Sequence, residues 1–239
     1  MWIGGILIMS NIAIIPARGG SKRIPRKNIK EFLGKPIISY SIEAAIKSNI
    51  FDEVMVSTDD EEIAAVSRTY GANVPFFRSK EMSDDYATTD QVMLEVLTEF
   101  HIKGMDFDYM ACIYPTAPFI EPDDLKRAFQ TIKDRKVTMV MPVLSFSYPP
   151  QRSYKIDEYG KAAFIYPQFA NSRSQDLEKF YREAGQYYIY DTKKFIKANA
   201  QILDNIVPIV IDEYHAQDID TDTDWKMAEL KYKLLHSIS

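Results

Sequence analysis

Short β-branched runs alternate with segments of helical period along most of the chain, and this alternation restricts the fold more than any other feature. NIAIIP (Asn11–Pro16), EVMVS (Glu53–Ser57), YMACIY (109–114) and VTMVMPV (137–143) read as buried strands, with a further short strand expected at 74–77. Between them, residues 37–46, 60–70, 88–102 and 121–135 carry apolar side chains at helical spacing. Their punctuation agrees: Pro36 precedes the first helix, Gly71 closes the second, and acids crowd the start of the fourth. Strand, helix, strand repeated in this way predicts right-handed crossovers and an α/β fold of Rossmann-like type. The sheet is expected to be mostly parallel, with helices on both faces.

The alternation stops at residue 144 and resumes near 186, with strands at 186–190 and 206–211 and a capped helix at 221–236. The intervening stretch, 144–183, holds seven Tyr or Phe before Phe180, several prolines and no clean period. It reads as an arm inserted into a single domain spanning 10–239, rather than as a second domain. Such an aromatic arm either folds back over its own sheet or forms a protein interface. Residues 1–9 (MWIGGILIM) are apolar, too short to span a bilayer and without a basic start, and are expected to be a dispensable extension. One cysteine, Cys112, excludes an internal disulfide framework and fits a cytoplasmic protein, with Cys112 itself a small buried hydrophobe. No stretch is long and apolar enough for a membrane segment.

The net charge is −5, yet residues 18–35 carry seven Lys or Arg against a single Glu. This basic stretch follows the first strand as PARGGSKRIPRKN. A strand, a glycine loop and a helix form a recurrent phosphate-binding arrangement. Gly19 and Gly20 would let the backbone turn and present N–H groups to an anion, while Arg18, Lys22 and Arg23 add cationic side chains. The loop matches neither the Walker A pattern nor the dinucleotide fingerprint, and a bare pair of glycines among lysines is more often a solvated loop. The acidic net charge argues against a nucleic-acid partner.

The opposite charge collects late, where residues 212–224 hold six acids and no Lys or Arg. Such oxygens suit a hard cation. Asp218, Asp220, Asp222 and Glu229 also have the spacing of a calcium loop, but Thr223 stands where its sharp turn needs glycine. A solvated acidic helix start is the plainer alternative. Asp59 sits at the carboxyl end of a strand, where it could face a ligand or cap the next helix.

The full string PARGGSKRIPRKN resembles the signature of the cytidylyltransferases that activate sialic acids and related nine-carbon sugars. VSTD (residues 56–59), Phe77-Arg78, YPTAP (114–118) and DIDT (218–221) follow in the order in which that family places its motifs. The likeness covers nearly all of 11–235. It implies a nucleotide-diphospho-sugar transferase fold, CTP as one substrate and Mg²⁺ as cofactor. It places Arg18, Gly19, Gly20, Ser21 and Lys22 on the triphosphate, Asn28 toward the nucleoside, and Arg78 and Thr89 near the cytosine and ribose. It gives the metal to Asp218 and Asp220, so that Arg18, Lys22, Asp218 and Asp220 carry the reaction. Where the sialic acid branch has Gln, this chain has Tyr114. PPQRS (149–153), NSRSQDL (171–177) and AGQYYIY (184–190) look instead like the branch that uses pseudaminic acid, with Tyr114, Arg152, Arg173 and Gln186 implied at the sugar. N-acetylneuraminic or legionaminic acid is the alternative substrate, and a non-catalytic nucleotide-binding protein is the alternative from another class. The same resemblance implies a homodimer whose arms cross to the neighbouring cleft.

Overall fold

A computed structural model describes residues 10–238 and the backbone of two paired strands, Trp2–Ile3 and Ile6–Leu7. The extension expected at 1–9 otherwise lies outside the described residues. The central sheet has seven strands: β1 (Asn11–Pro16), β2 (Glu53–Ser57), β3 (Tyr109–Ile113), β4 (Met139–Ser145), β5 (Tyr181–Glu183), β6 (Tyr187–Asp191) and β7 (Ile206–Val210). β1 runs parallel to both β2 and β3, and β4 runs parallel to β7. β6 lies antiparallel between β3 and β4, and β5 pairs antiparallel with the far end of β4. Five of the seven therefore share one direction, as the repeated crossovers predict.

Alternate residues of these strands feed two separate cores, because successive side chains of a strand leave opposite faces. Ala13, Ile15, Ala111, Ile113, Tyr187 and Ile189 pack on one face. That face is covered by α1 (Ile37–Ser48), α2 (Glu61–Thr69) and α4 (Pro122–Arg135). Ile12, Ile14, Met110, Cys112, Tyr188 and Tyr190 pack on the other, beneath α3 (Thr89–Ile102) and α5 (Thr192–Lys197). Cys112 is buried as expected, and burial pushes its thiol well above the usual range.

A third, smaller core positions the site. Phe32 stands edge-on to Tyr40, Trp225 and Tyr232, with ring centroids 5.5, 5.6 and 5.7 Å away. Trp225 and Tyr232 belong to α6 (Asp222–His236). Ile24 from the basic loop and Ile219 from the acidic segment are both buried in this cluster. One apolar contact set thus anchors the two oppositely charged stretches, although they lie nearly two hundred residues apart.

One expectation needs correction, and one element was missed. No strand forms at 74–77; a single bridge from Met55 to Asn73 stands there, since Pro75 has no N–H to continue a ladder. Helix α5 is not legible in the sequence, its six residues being too few to show a period. The arm leaves the sheet after Ser145 and returns at Tyr181, closed by the Phe146 N–H donating to the Phe180 carbonyl at 3.0 Å. Between these points it forms a small hairpin, Tyr154–Ile156 against Ala162–Phe164, and three short 3-10 turns. It does not fold back over the sheet. Ile156 and Tyr159 are 73% and 78% exposed. Among the described residues no helix is long and apolar enough to cross a membrane.

Candidate active site

The parallel strands β1, β2 and β3 deliver their carboxyl ends to one side of the sheet, where open α/β folds bind ligands. A cleft of about 540 Å³ opens there. Arg18, Ser21, Lys22, Asn28, Arg78, Thr89, Tyr114, Asp218 and Asp220, all expected at the site, line it.

The basic loop divides its charge. Arg23 meets Asp220 at 2.8 Å; Lys27 meets it at 3.4 Å and also donates to the Ile219 carbonyl at 2.6 Å. Arg18 and Lys22 both pair with Asp85, which comes from the loop before α3. The other three cations are structural. Arg26 holds Asp60 and Glu62, Lys30 meets Asp222 and Lys35 meets Glu43. Only four of the seven therefore face the cleft, and the charge density of the stretch overstates what a ligand would meet.

The loop backbone is set by neighbouring acids. The Gly19 N–H donates to Asp59 Oδ1 at 2.9 Å, and the Ser21 N–H donates to the Gly19 carbonyl. This corrects the expectation for the glycines, since Gly20 alone of the three has an N–H without a partner among the described residues. Glycine is required at 19 because a Cβ there would come within 2.7 Å of Asp60 Oδ2. The two readings of Asp59 are also resolved: Asp60 caps α2 through the Glu62 and Ile63 N–H groups, leaving Asp59 to fix the loop. Asn28 is buried and donates to the Arg18 carbonyl at 2.9 Å, tying the far side of the loop to its start.

Arg78 is buried at the end of β2, where it donates to the Ser57 hydroxyl at 3.1 Å and the Ser57 carbonyl at 2.6 Å. Burial lowers its pKa to about 10, so it stays charged at neutral pH. Thr88 and Gln91 form a capping box that presents Thr89 at the cleft with the positive end of α3.

Asp218 and Asp220 face the loop from the other wall. Burial, and then the Asp220 charge, raise the Asp218 carboxyl above its ordinary value. Paired carboxylates of this kind gain from a shared cation. Among the described residues no group of three or more ligating side chains surrounds a common point. A metal here would draw only two protein ligands, the pattern by which Mg²⁺ keeps its remaining positions for water and phosphate oxygens. The calcium-loop alternative fails, because α6 begins at Asp222, Asp224 is spent in its capping box, and Glu229 accepts from Trp225 Nε1 at 3.0 Å.

The expected sugar residues are not all brought together. Tyr114 lines the cleft. Gln186 does not: it is buried, and its side-chain amide donates to the His215 carbonyl. Arg173 lies out on the arm, paired with Asp176 at 2.7 Å. Arg152, also on the arm, has a buried Nε without a hydrogen-bond partner among the described residues. Sequence reasoning missed Lys27 and Asp85 as cleft residues; the first was legible as part of the basic string, while nothing about Asp85 distinguished it from its acidic neighbours.

A family profile described as cytidylyltransferase matches residues 12–234. The chain belongs to the cytidylyltransferase family. It is 41% identical over 228 residues to a pseudaminic acid cytidylyltransferase of Campylobacter jejuni, covering 95% of this chain and 98% of the relative. It is 33% identical to the CMP-N,N'-diacetyllegionaminic acid synthase of Legionella pneumophila, covering 92% of this chain and 95% of the relative. Among solved structures, a CMP:2-keto-3-deoxy-manno-octonic acid synthetase complexed with CTP superposes with a TM-score of 0.68 at 17% identity, over 95% of this chain and 99% of that one. At that identity the likeness establishes the α/β nucleotidyltransferase fold.

Proposed function

We propose that this cytidylyltransferase couples CTP to a nonulosonic acid, pseudaminic acid in preference to N-acetylneuraminic or legionaminic acid, giving the CMP-sugar and pyrophosphate. The observation that carries this reading is the meeting of Arg18, Lys22, Arg23 and Lys27 with Asp218 and Asp220 in one cleft at the strand ends. The relatives' names supply the sugar class, and Tyr114 supports the pseudaminic acid branch.

The residues divide the work as nucleotidyl transfer requires. Arg18, Ser21, Lys22 and the Gly20 N–H bind the triphosphate, and the cations offset charge developing on the departing pyrophosphate. Asn28, Arg78 and Thr89 orient the nucleoside so that the α-phosphorus faces the sugar's anomeric hydroxyl. Asp218 and Asp220 would hold Mg²⁺, which when bound polarises the phosphate oxygens. Arg23 and Lys27 fix the Asp220 carboxylate. The exposed arm supports a homodimer in which Arg152 and Arg173 serve the partner's cleft, where their charge suits the sugar carboxylate.

The test is pyrophosphate release with CTP, Mg²⁺ and a panel of purified nonulosonic acids. The expected result is the highest kcat/KM with pseudaminic acid. More efficient turnover of N-acetylneuraminic acid would overturn the branch while leaving the reaction class, and no release with any acid would overturn both.

A further inference from the structure

Gln186, expected at the sugar, has a different place in the structure. It immediately precedes β6, is buried and does not line the cleft. Its carbonyl accepts from the Tyr114 N–H at 2.8 Å, while its side-chain amide donates to the His215 carbonyl. Gly185, one residue earlier, lies against Asp218: a Cβ added there would come 3.8 Å from Asp218 Cγ. Gln186 therefore joins the end of β3 to the acidic segment, behind Asp218.

That segment needs holding. Residues 216–220 make no backbone–backbone hydrogen bond among the described residues. Asp218 and Asp220 both sit in this stretch, and the repulsion of their like charges favours an open chain. Side chains from elsewhere supply the missing bonds. Lys231, on α6, donates to the Glu213 carbonyl at 3.0 Å and to the Ala216 carbonyl at 2.9 Å. Gln186 holds the His215 carbonyl between them, and Lys27 holds the Ile219 carbonyl just beyond Asp218. Asp224 accepts from the Asp220 N–H at 3.1 Å. Ala216 is itself buried against Leu144 and Ala184, which fixes the turn on the sheet. All of these bonds act on the backbone, and none of them uses a carboxylate oxygen of Asp218 or Asp220.

We propose that Gln186 and Lys231 are positioning residues for the metal site. Together they set the turn at 213–216, and so hold Asp218 at the spacing from Asp220 that a shared divalent cation requires. Neither side chain lines the cleft, so both act through the backbone of the segment. Groups that hold a metal's ligands in place commonly change its affinity about 10- to 100-fold. This assignment rests on the metal role proposed above for Asp218 and Asp220, and adds what keeps that pair in place.

Lys231→Met and Gln186→Met remove the donors and keep the length of each side chain. Mn²⁺ is the probe, titrated by electron paramagnetic resonance into the full-length enzyme without substrates, below each variant's melting temperature. Its dissociation constant should rise about 10-fold in each variant, while Lys231→Arg, which keeps donors for both carbonyls, should stay within about threefold of wild type. In turnover, the half-saturating Mg²⁺ concentration should rise in parallel. The KM for CTP at saturating Mg²⁺ should stay within about twofold, because neither residue lines the cleft. Lys231 is partly exposed on its helix, so Lys231→Met decides the matter if Gln186→Met does not fold. Unchanged Mn²⁺ affinity in either folded variant overturns the assignment, even where the melting temperature falls, since the bonds would then serve the fold alone. Mn²⁺ binding that Asp218→Asn abolishes and these variants leave intact sinks this assignment and spares the metal role of the aspartates. If the wild-type enzyme binds no Mn²⁺, that metal role falls, and this assignment falls with it.

Discussion

The Asp85 carboxylate lies 3.0 Å from the Arg18 guanidinium and also accepts a hydrogen bond from the Lys22 ammonium. It therefore occupies the two cations best placed to meet a triphosphate. The Lys22 hydrogen bond, followed in smaller measure by the Arg18 contacts, holds its carboxyl below the ordinary range, so it is ionised at neutral pH. The incoming nucleotide must displace Asp85 from both partners. Asp85→Asn should lower the KM for CTP a few-fold with kcat little changed, since the pairs it breaks are exposed and individually weak. Initial rates at low and high salt check this, and the advantage should shrink as salt screens the pairs. A higher KM for CTP in the variant would mean that Asp85 holds the bound nucleotide instead.

Much of this site was legible in the sequence because its parts are local. The basic string, the DIDT segment and the Thr221 cap each announce themselves within a few residues, and each lies where expected. What could not be read was partnership over long range. Nothing local says that Arg26 would be spent on Asp60 and Glu62 while Arg23 reaches Asp220, since that choice follows from how Ile24 and Ile219 pack together.

Asp218 should trade stability for function. Its folded-state pKa is raised above the ordinary 3.8. The stability it contributes is therefore full below that value and is lost as pH rises through the raised one. At neutral pH the ionised side chain is a cost that Asp218→Asn removes. Without Mg²⁺, that variant should melt on the order of 2 °C higher at pH 7, with the gain vanishing toward pH 3. Its turnover, and that of Asp220→Asn, should fall roughly 100-fold or more. Calorimetry with a chelator and pyrophosphate assays at saturating Mg²⁺ read the two effects separately. Near-normal kcat in both variants would remove these aspartates from the metal site.

Ile219→Ala tests whether the third core positions the acidic wall. The side chain is 1% exposed among Phe32, Trp225 and Ile24, so the truncation should cost about 2–5 kcal/mol in urea unfolding. Because Lys27 holds the Ile219 carbonyl and Asp220 follows it, kcat should fall well below that of the folded wild-type enzyme even under conditions where the variant is fully native. Loss of stability with an intact kcat would show that the cluster holds the fold but does not place Asp220.

The arm gives the last prediction. Arg173 is 73% exposed at its side chain, pairs with Asp176 three residues away, and does not line the cleft of its own chain. A surface pair of that kind contributes little to stability, and Arg173→Ala should leave the melting temperature unchanged within about a degree. If the arm crosses to a second copy about a two-fold axis, the substitution should instead raise the KM for the sugar in a dimer. Mixing Arg173→Ala subunits with Asp220→Asn subunits then provides a strict check. In the heterodimer one of the two clefts regains both groups, Asp220 from the subunit that owns the cleft and Arg173 from the arm of the other, so activity should return to roughly half of wild type per dimer. No recovery in a verified heterodimer would place Arg173 outside the partner's site, and a monomer by sedimentation would remove the exchange altogether.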